Sequence, residues 1–240
     1  MQIQSIKEKI LRLIYPRHCA VCKEILEDAR YLVCPQCAAR LKPITGHRCL
    51  RCGKPVLPEE EYCRDCRREG RYFKEGCGIF LYEGKIKNSL LAMKYSGHQE
   101  YALFYAQAIR HYAGDKIRRW APHLLVPIPM HPRKLRARGY NQSALIAQHL
   151  SGLTGIPCEE SLLEKTTLTK SQKNLGAAAR RSHLRETFRT AGPACGLRIL
   201  LVDDVFTTGG TVDAAAWCLL EAGAQSVFFV TACMGSQNGA

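Results

Sequence analysis

From residue 124 onward the apolar positions come in short unbroken runs, each followed by a loop and a stretch of helical period. Leu124, Leu125, Val126 and Ile128 make a strand that Pro129 stops, and residues 197–202 and 226–232 make two more. Unbroken rather than alternating runs belong to strands covered on both faces, as in a parallel sheet. Leu145, Ile146, Leu150 and Leu153 mark the buried side of a helix over 141–153, and a helix over 211–222 is stopped by Gly223. Residues 166–181 are polar, basic and without period, and read as a mobile loop. The pattern predicts an α/β fold, a parallel sheet flanked by helices.

Upstream this rhythm is lost. Residues 1–76 have too few regular apolar stretches for a core of their own, although Ile3, Ile6, Ile10, Leu13 and Ile14 recur at helical spacing. Residues 77–82 read as a strand. Helices over 85–95 (Ile86, Leu90, Leu91, Met93) and 100–112 (Leu103, Phe104, Ala106, Ile109) follow, separated by Gly97. The expected division is a small module at 1–76 and the α/β domain at 77–240, ending in a frayed tail.

The small module is rich in cysteine. Nine of the 13 cysteines precede residue 78, and eight form the pairs Cys19-x-x-Cys22, Cys34-x-x-Cys37, Cys49-x-x-Cys52 and Cys63-x-x-Cys66. A two-residue gap lets both sulfurs of a knuckle reach one metal, and two knuckles complete a closed tetrahedral site. Structural Zn²⁺ at one or two Cys₄ sites is expected, its binding supplying the folding free energy that burial cannot. Sequential pairing and a cross-braced arrangement are both open. Four thiolates leave no position for catalysis. Cys77, Cys158, Cys195, Cys218 and Cys233 lack pair spacing and read as small buried hydrophobes, and His18 and His47 as loop histidines rather than ligands.

Thirty-five basic against 21 acidic side chains leave a formal charge of +14, which points to a polyanionic partner: nucleic acid, a membrane surface or a phosphorylated small molecule. Eight thiolates around two zinc ions would lower it to about +10. No apolar run approaches the roughly 18 residues of a membrane span. Lys7, Glu8, Lys9 and Arg12 interrupt any signal-peptide core, so a cytoplasmic protein with reduced thiols is expected.

The most informative stretch is Ile199 to Thr211. An apolar strand delivers Asp203 and Asp204, and Thr207-Thr208-Gly209-Gly210-Thr211 then opens a helix. Ligands of open α/β sheets bind at this edge. The hydroxyls, the glycine-permitted backbone and the helix N-terminus make a cradle for a phosphate monoester. Carboxylates would repel that phosphate but suit the hydroxyls of a ribose. Helix capping would explain one acid, not two. A second element, Arg133, Lys134, Arg136, Arg138 and Gly139 in the loop after the strand, offers cations for a pyrophosphate, or else is a solvated basic loop. His131 is a candidate acid–base group. Lys165, Lys170, Lys173, Arg180, Arg181, Arg185 and Arg189 add charge in and beside the polar loop.

At Val202–Thr211 the chain resembles the type I phosphoribosyltransferases. With the zinc knuckles, Val126-Pro127-Ile128-Pro129 and Arg138-Gly139-Tyr140-Asn141-Gln142, it resembles the ComF family, bacterial proteins associated with competence and the use of external DNA. The resemblance implies a type I phosphoribosyltransferase-like domain behind a double zinc ribbon. It implies that Asp203 and Asp204 are the catalytic pair on the ribose hydroxyls and that Thr207, Thr208, Gly209, Gly210 and Thr211 take the 5′-phosphate of phosphoribosyl pyrophosphate. It further implies that Mg²⁺ accompanies the pyrophosphate and that the loop at 166–181 closes over it. Two functions remain open: a phosphoribosyl-transferring enzyme, or a non-catalytic protein of DNA uptake that binds single-stranded DNA or a helicase-like partner and senses a nucleotide.

Overall fold

A computed structural model describes residues 16–68, 70–166 and 187–236. The expected helix at 3–14, nearly all of the expected loop at 166–181, with Lys170, Lys173, Arg180 and Arg181, and Arg185 lie outside the described residues. The elements run α1 (Pro35–Ala38), α2 (Arg64–Arg68), β1 (Glu75–Leu81), α3 (Gly84–Tyr95), α4 (Tyr101–Trp120) and β2 (Leu124–Pro127). Then follow α5 (Pro132–Arg138), α6 (Gln142–Thr154), β3 (Leu163–Lys165), β4 (Phe188–Thr190), β5 (Arg198–Phe206), α7 (Gly210–Glu221) and β6 (Ser226–Met234).

Four strands form one parallel sheet in the order β1-β6-β5-β2. Its central strands are unbroken apolar runs because both faces are covered. Leu200 and Val202 pack with Ile146 and Leu150 of α6, whereas Ile199 and Leu201 pack with Val212 and Leu219 of α7. β3 and β4 pair antiparallel in a separate ribbon. Helix α4 runs eight residues past the expected 112, because Ala113, Ile117 and Trp120 continue its buried face. Trp120 stacks on Phe228 at 5.1 Å and donates to Glu75 at 2.9 Å.

The cysteine-rich module covers the free edge of β1, where unpaired backbone groups would invite another chain. Ile44 N–H donates to Ile79 O at 2.8 Å and Gly76 N–H to Arg51 O at 2.8 Å. Its two halves straddle the sheet. Cys19 and Cys37 join the apolar cluster on the α4–α6 face, and Cys49, Cys52 and Cys63 join the cluster of Phe73, Phe206 and Phe229 on the other. Close approach there requires a glycine. A Cβ on Gly76 would lie 2.0 Å from the Phe229 ring. Gly76→Ala is expected to cost about 1–3 kcal/mol by overpacking, read as a lower urea midpoint with an unchanged slope.

Two expectations need correcting. The basic segment after β2 is not a loop but the helix α5, started by Pro132 at its first turn and ended by Gly139 in the left-handed region at φ 85°. Cys195 is exposed, not buried. It lies in the turn before β5, where a Cβ added to Gly223 would come within 3.0 Å of its sulfur. Cys77, Cys218 and Cys233 are buried as expected, and Cys158 is only half-buried.

Candidate functional site

Zinc chemistry is visible in the sulfur geometry. Cys19, Cys22, Cys34 and Cys37 form one quartet and Cys49, Cys52, Cys63 and Cys66 another, with all four Sγ atoms of each within 4.8 Å of one another. Cys22 and Cys34 sulfurs are 3.8 Å apart, Cys52 and Cys63 3.6 Å. A tetrahedron with metal–sulfur arms of about 2.3 Å has edges of about 3.8 Å. The donor sets therefore fit Zn²⁺, and the pairing is sequential rather than cross-braced. Backbone N–H groups of Cys34, Cys37 and Cys52 point at the sulfurs of Cys19, Cys34 and Cys49 at 3.4, 3.4 and 3.5 Å. Thiol hydrogen bonds from Cys52, Cys63 and Cys66 hold Cys49 far below the ordinary thiol range, and the bond to Cys49 drives Cys52 and Cys66 far above it. Four thiols so close favour a shared cation.

A second site lies at the carboxyl end of the sheet. There a hollow of about 240 Å³ is walled by Asp203 and Asp204 from β5 and by Thr211 from the first turn of α7. The residues from Ile128 to His131 after β2, Lys134 and Arg138 of α5, and Asn141, Gln142 and Ser143 close another side, with Lys94 and Tyr95 at the end of α3 and Lys165 of β3. Local rules hold this wall together. The Asn141 side chain caps α6 by accepting from Ser143 N–H at 3.1 Å, and its Nδ2 donates to Ile128 O at 3.0 Å. His131 caps α5, its Nδ1 accepting from Arg133 N–H at 3.1 Å. Desolvation, then Arg133, Lys165, Arg136 and Lys134, lowers its pKa. His131 is a neutral cap, so the geometry gives it no proton to supply from Nδ1.

The two acids have unlike settings. Asp203 Oδ1 accepts from Ser143 Oγ at 2.8 Å and from Asp204 N–H at 2.9 Å. Burial, then the charge of Asp204, pushes its pKa up to about 7 against those bonds and the charge of Lys94. Asp204 forms an ion pair with Lys94, their side chains only 13% and 18% exposed. Burial works against the Lys94 ammonium, but Asp204 and then Asp203 outweigh it, and its pKa is raised.

The threonine–glycine turn is held from the zinc module. Gly209 caps α7 at φ 86°, and a Cβ there would meet the Phe206 ring at 2.7 Å. Arg71, its side chain 6% exposed, donates from Nη2 to Thr208 O at 2.9 Å and to Asp65 O at 3.5 Å. Its Nη1 lies 3.8 Å from Asp213 Oδ2, and Tyr72 N–H donates to Asp213 Oδ1 at 2.7 Å. Asp65 sits between Cys63 and Cys66 and pairs with Lys54 at 2.7 Å. The second Cys₄ site is thereby joined through Arg71 to the turn.

Of the predicted site residues, Asp203, Asp204, Thr211 and Arg138 share the hollow. Thr207, Thr208, Gly209 and Gly210 form the turn at the α7 N-terminus without lining the hollow, and Arg133, Arg136 and Gly139 are exposed outside its wall. Lys94, Tyr95 and Ser143 were not anticipated. The only sequence sign of Lys94 was a cation in the last turn of a helix, just before Ser96 and Gly97.

Residues 10–67 match the double zinc ribbon domain family. The competence protein ComFC of Bacillus subtilis (strain 168) is 30% identical over 203 residues, covering 80% of this chain and 79% of that protein. The DNA utilization protein YhgH of Salmonella typhimurium is 27% identical, covering 90% of this chain and 96% of its own length. Competence protein F of Haemophilus influenzae is 26% identical over 87% of this chain and 93% of that one. Among solved structures, a purine phosphoribosyltransferase from Pyrococcus horikoshii aligns with TM-score 0.36 and 17% identity, covering 55% of this chain and 73% of its own. The adenine phosphoribosyltransferase of Leishmania tarentolae aligns with TM-score 0.34, 17% identity, 56% of this chain and 72% of its own. On the strength of the match to ComFC across four-fifths of both chains, this chain belongs to the ComF family.

Proposed function

We propose that the hollow at the carboxyl end of the sheet binds phosphoribosyl pyrophosphate or a related 5-phosphoribosyl ligand, and that the protein transfers the phosphoribosyl group with release of pyrophosphate. One observation carries this reading. Asp203 and Asp204 share a single hollow with Thr211 at a helix N-terminus and with Lys134, Arg138 and Lys165. Diol acceptors, a phosphate-compatible turn and cations for a second anionic group meet within one ligand's reach.

In this reading Asp203 and Asp204 accept hydrogen bonds from the ribose hydroxyls, and the first amides of α7, which have no intrahelical partner, face the 5′-phosphate. Arg138 and Lys165, both on the wall of the hollow, offset the charge on the leaving pyrophosphate, the place where preorganised cations lower a barrier most. Mg²⁺, when bound with the ligand, would neutralise pyrophosphate charge. Lys94 already holds Asp204, so the ligand's own oxygens would hold the ion. The reading extends to a role in competence or DNA utilization, as the relatives' names state of those proteins.

Calorimetry with phosphoribosyl pyrophosphate and Mg²⁺ tests the binding. Wild type is expected to bind, and Asp203→Asn/Asp204→Asn to bind at least about tenfold more weakly. No binding by wild type sinks the proposal. Pyrophosphate release with candidate acceptors tests transfer separately. The titration of Asp203 adds a sign. Below pH 7 its carboxyl is largely protonated and a poorer diol acceptor. Affinity is therefore expected to rise between pH 6 and 8 in wild type, and this part of the rise to vanish in Asp203→Asn.

A second reading rests on the zinc module's surface. Tyr31 and Tyr62 are 59% and 36% exposed, and Arg30 and Arg64 stand near them in the chain. Stacking side chains among cations suit single-stranded DNA. In that reading the protein grips DNA, or a helicase-like partner, through this module. DNA affinity falling steeply with salt and lost on chelating zinc is its expected mark.

A further inference from the structure

The Arg138-Gly139-Tyr140-Asn141-Gln142 segment does more than the phosphoribosyl site requires. Asn141 and Gln142 face the hollow of Asp203 and Asp204, but Tyr140 does not. It lines a second hollow of about 360 Å³ that shares the wall of Lys94, Tyr95, Lys134 and Arg138 with the first. Gly97 and Ala137 complete the described lining, and neither offers a side chain that would fill it.

The chemistry of this annex is narrow. The Tyr95 ring is 74% exposed, an unusual state for a large aromatic side chain, and the Arg138 guanidinium lies 4.9 Å from its centroid. The guanidinium is itself steered by a 2.5 Å bond from Nη1 to Gln142 Oε1. Tyr140 is fixed through its hydroxyl, which donates to Met93 O. Two planar π-faced groups therefore stand ready at the mouth of the ribose-phosphate hollow, a surface on which a flat ring stacks. No carboxylate lines the annex among the described residues, whereas Lys134 and Arg138 do. A neutral base with amino groups would find little to accept its hydrogen bonds. An acidic substituent would find the Lys134 ammonium.

We propose that the annex is the acceptor site and that the acceptor is a small planar heteroaromatic ring carrying a carboxylate. The proposal rests on the phosphoribosyl reading and adds the substrate class to it. The ring nitrogen attacks C1 of the ribose and the C1–O bond to pyrophosphate breaks. The bonding pair leaves on that oxygen, and the released pyrophosphate takes up the nitrogen's proton. Stacking on Tyr95 and Arg138 fixes the ring plane, and Lys134 meets the carboxylate.

Ribose 5-phosphate lacks a leaving group, so it loads the first hollow without turnover. Protein saturated with it is titrated with pyrimidine carboxylates, with the matching uncharged amides and with a short single-stranded oligonucleotide. The expected result is that a carboxylate binds at least about tenfold more tightly than its amide. Tyr95→Ala should then weaken the carboxylate at least about tenfold, and Tyr95→Phe should restore it. Equal binding of acid and amide, no binding of either, or binding of the oligonucleotide alone overturns the acceptor assignment. If wild type binds neither ribose 5-phosphate nor phosphoribosyl pyrophosphate, the phosphoribosyl reading itself has failed, a separate and distinguishable outcome.

Discussion

Cys63→Ser/Cys66→Ser is expected to strip the second Cys₄ site of zinc and to take both stability and ribose-phosphate affinity with it. Zinc supplies on the order of 10 kcal/mol to isolated ribbons and fingers of this size. Here the quartet is also part of a core, since Cys49, Cys52 and Cys63 pack in one cluster with Phe73, Phe206 and Phe229. If only about 5 kcal/mol of that reaches the global transition, the midpoint should fall by about 10–20 °C. The binding loss has a specific route. Asp65, between the mutated cysteines, holds Arg71, and Arg71 holds the Thr208 carbonyl and faces Asp213. Arg71→Gln isolates that route. It should keep both zinc ions by elemental analysis while weakening ribose 5-phosphate about tenfold and leaving pyrophosphate, which the proposed reading places on the α5 side, much less affected. Equal losses for the two ligands would show general damage instead, and no loss would show that Arg71 does not position the turn.

Asp204→Ala should be the most destabilising single change in the hollow, at about 3–5 kcal/mol, because it leaves the Lys94 ammonium buried without its partner. Lys94→Met/Asp204→Leu, which removes both charges, should recover much of that loss in urea unfolding at pH 7. The pH dependence has a definite sign. Lys94 has a raised folded-state pKa, so its stabilising contribution is fully present below the ordinary lysine value of about 10.4 and fades as pH rises through the folded value. The gap between wild type and Asp204→Ala should therefore persist through neutral pH and narrow in strongly alkaline solution.

Much of this was legible in the chain. Unbroken apolar runs at 124–128, 197–202 and 226–232 are strands because a doubly covered strand has no polar face to show. Four C-x-x-C pairs are metal knuckles because a two-residue gap fixes where the sulfurs point. Asp203, Asp204 and Thr211 could be placed at one sheet edge because strand and helix directions fix it.

Other features were not legible, each for a physical reason. Arg133, Lys134, Arg136 and Arg138 looked like a loop because charge hides helical period, but the ring of Pro132 and the left-handed Gly139 bound one short helix that turns Lys134 and Arg138 inward. Lys94 lies over a hundred residues from Asp204, and only the fold, with α3 packed on α4, brings them together. The link from Asp65 through Arg71 to Thr208 joins residues up to 137 positions apart. By itself the sequence determined which chemistries the protein carries, since those depend on residue type and short spacing. Tertiary structure alone decided which groups share a hollow and which zinc site steadies the turn, because those contacts follow from how the elements stack rather than from how near they lie along the chain.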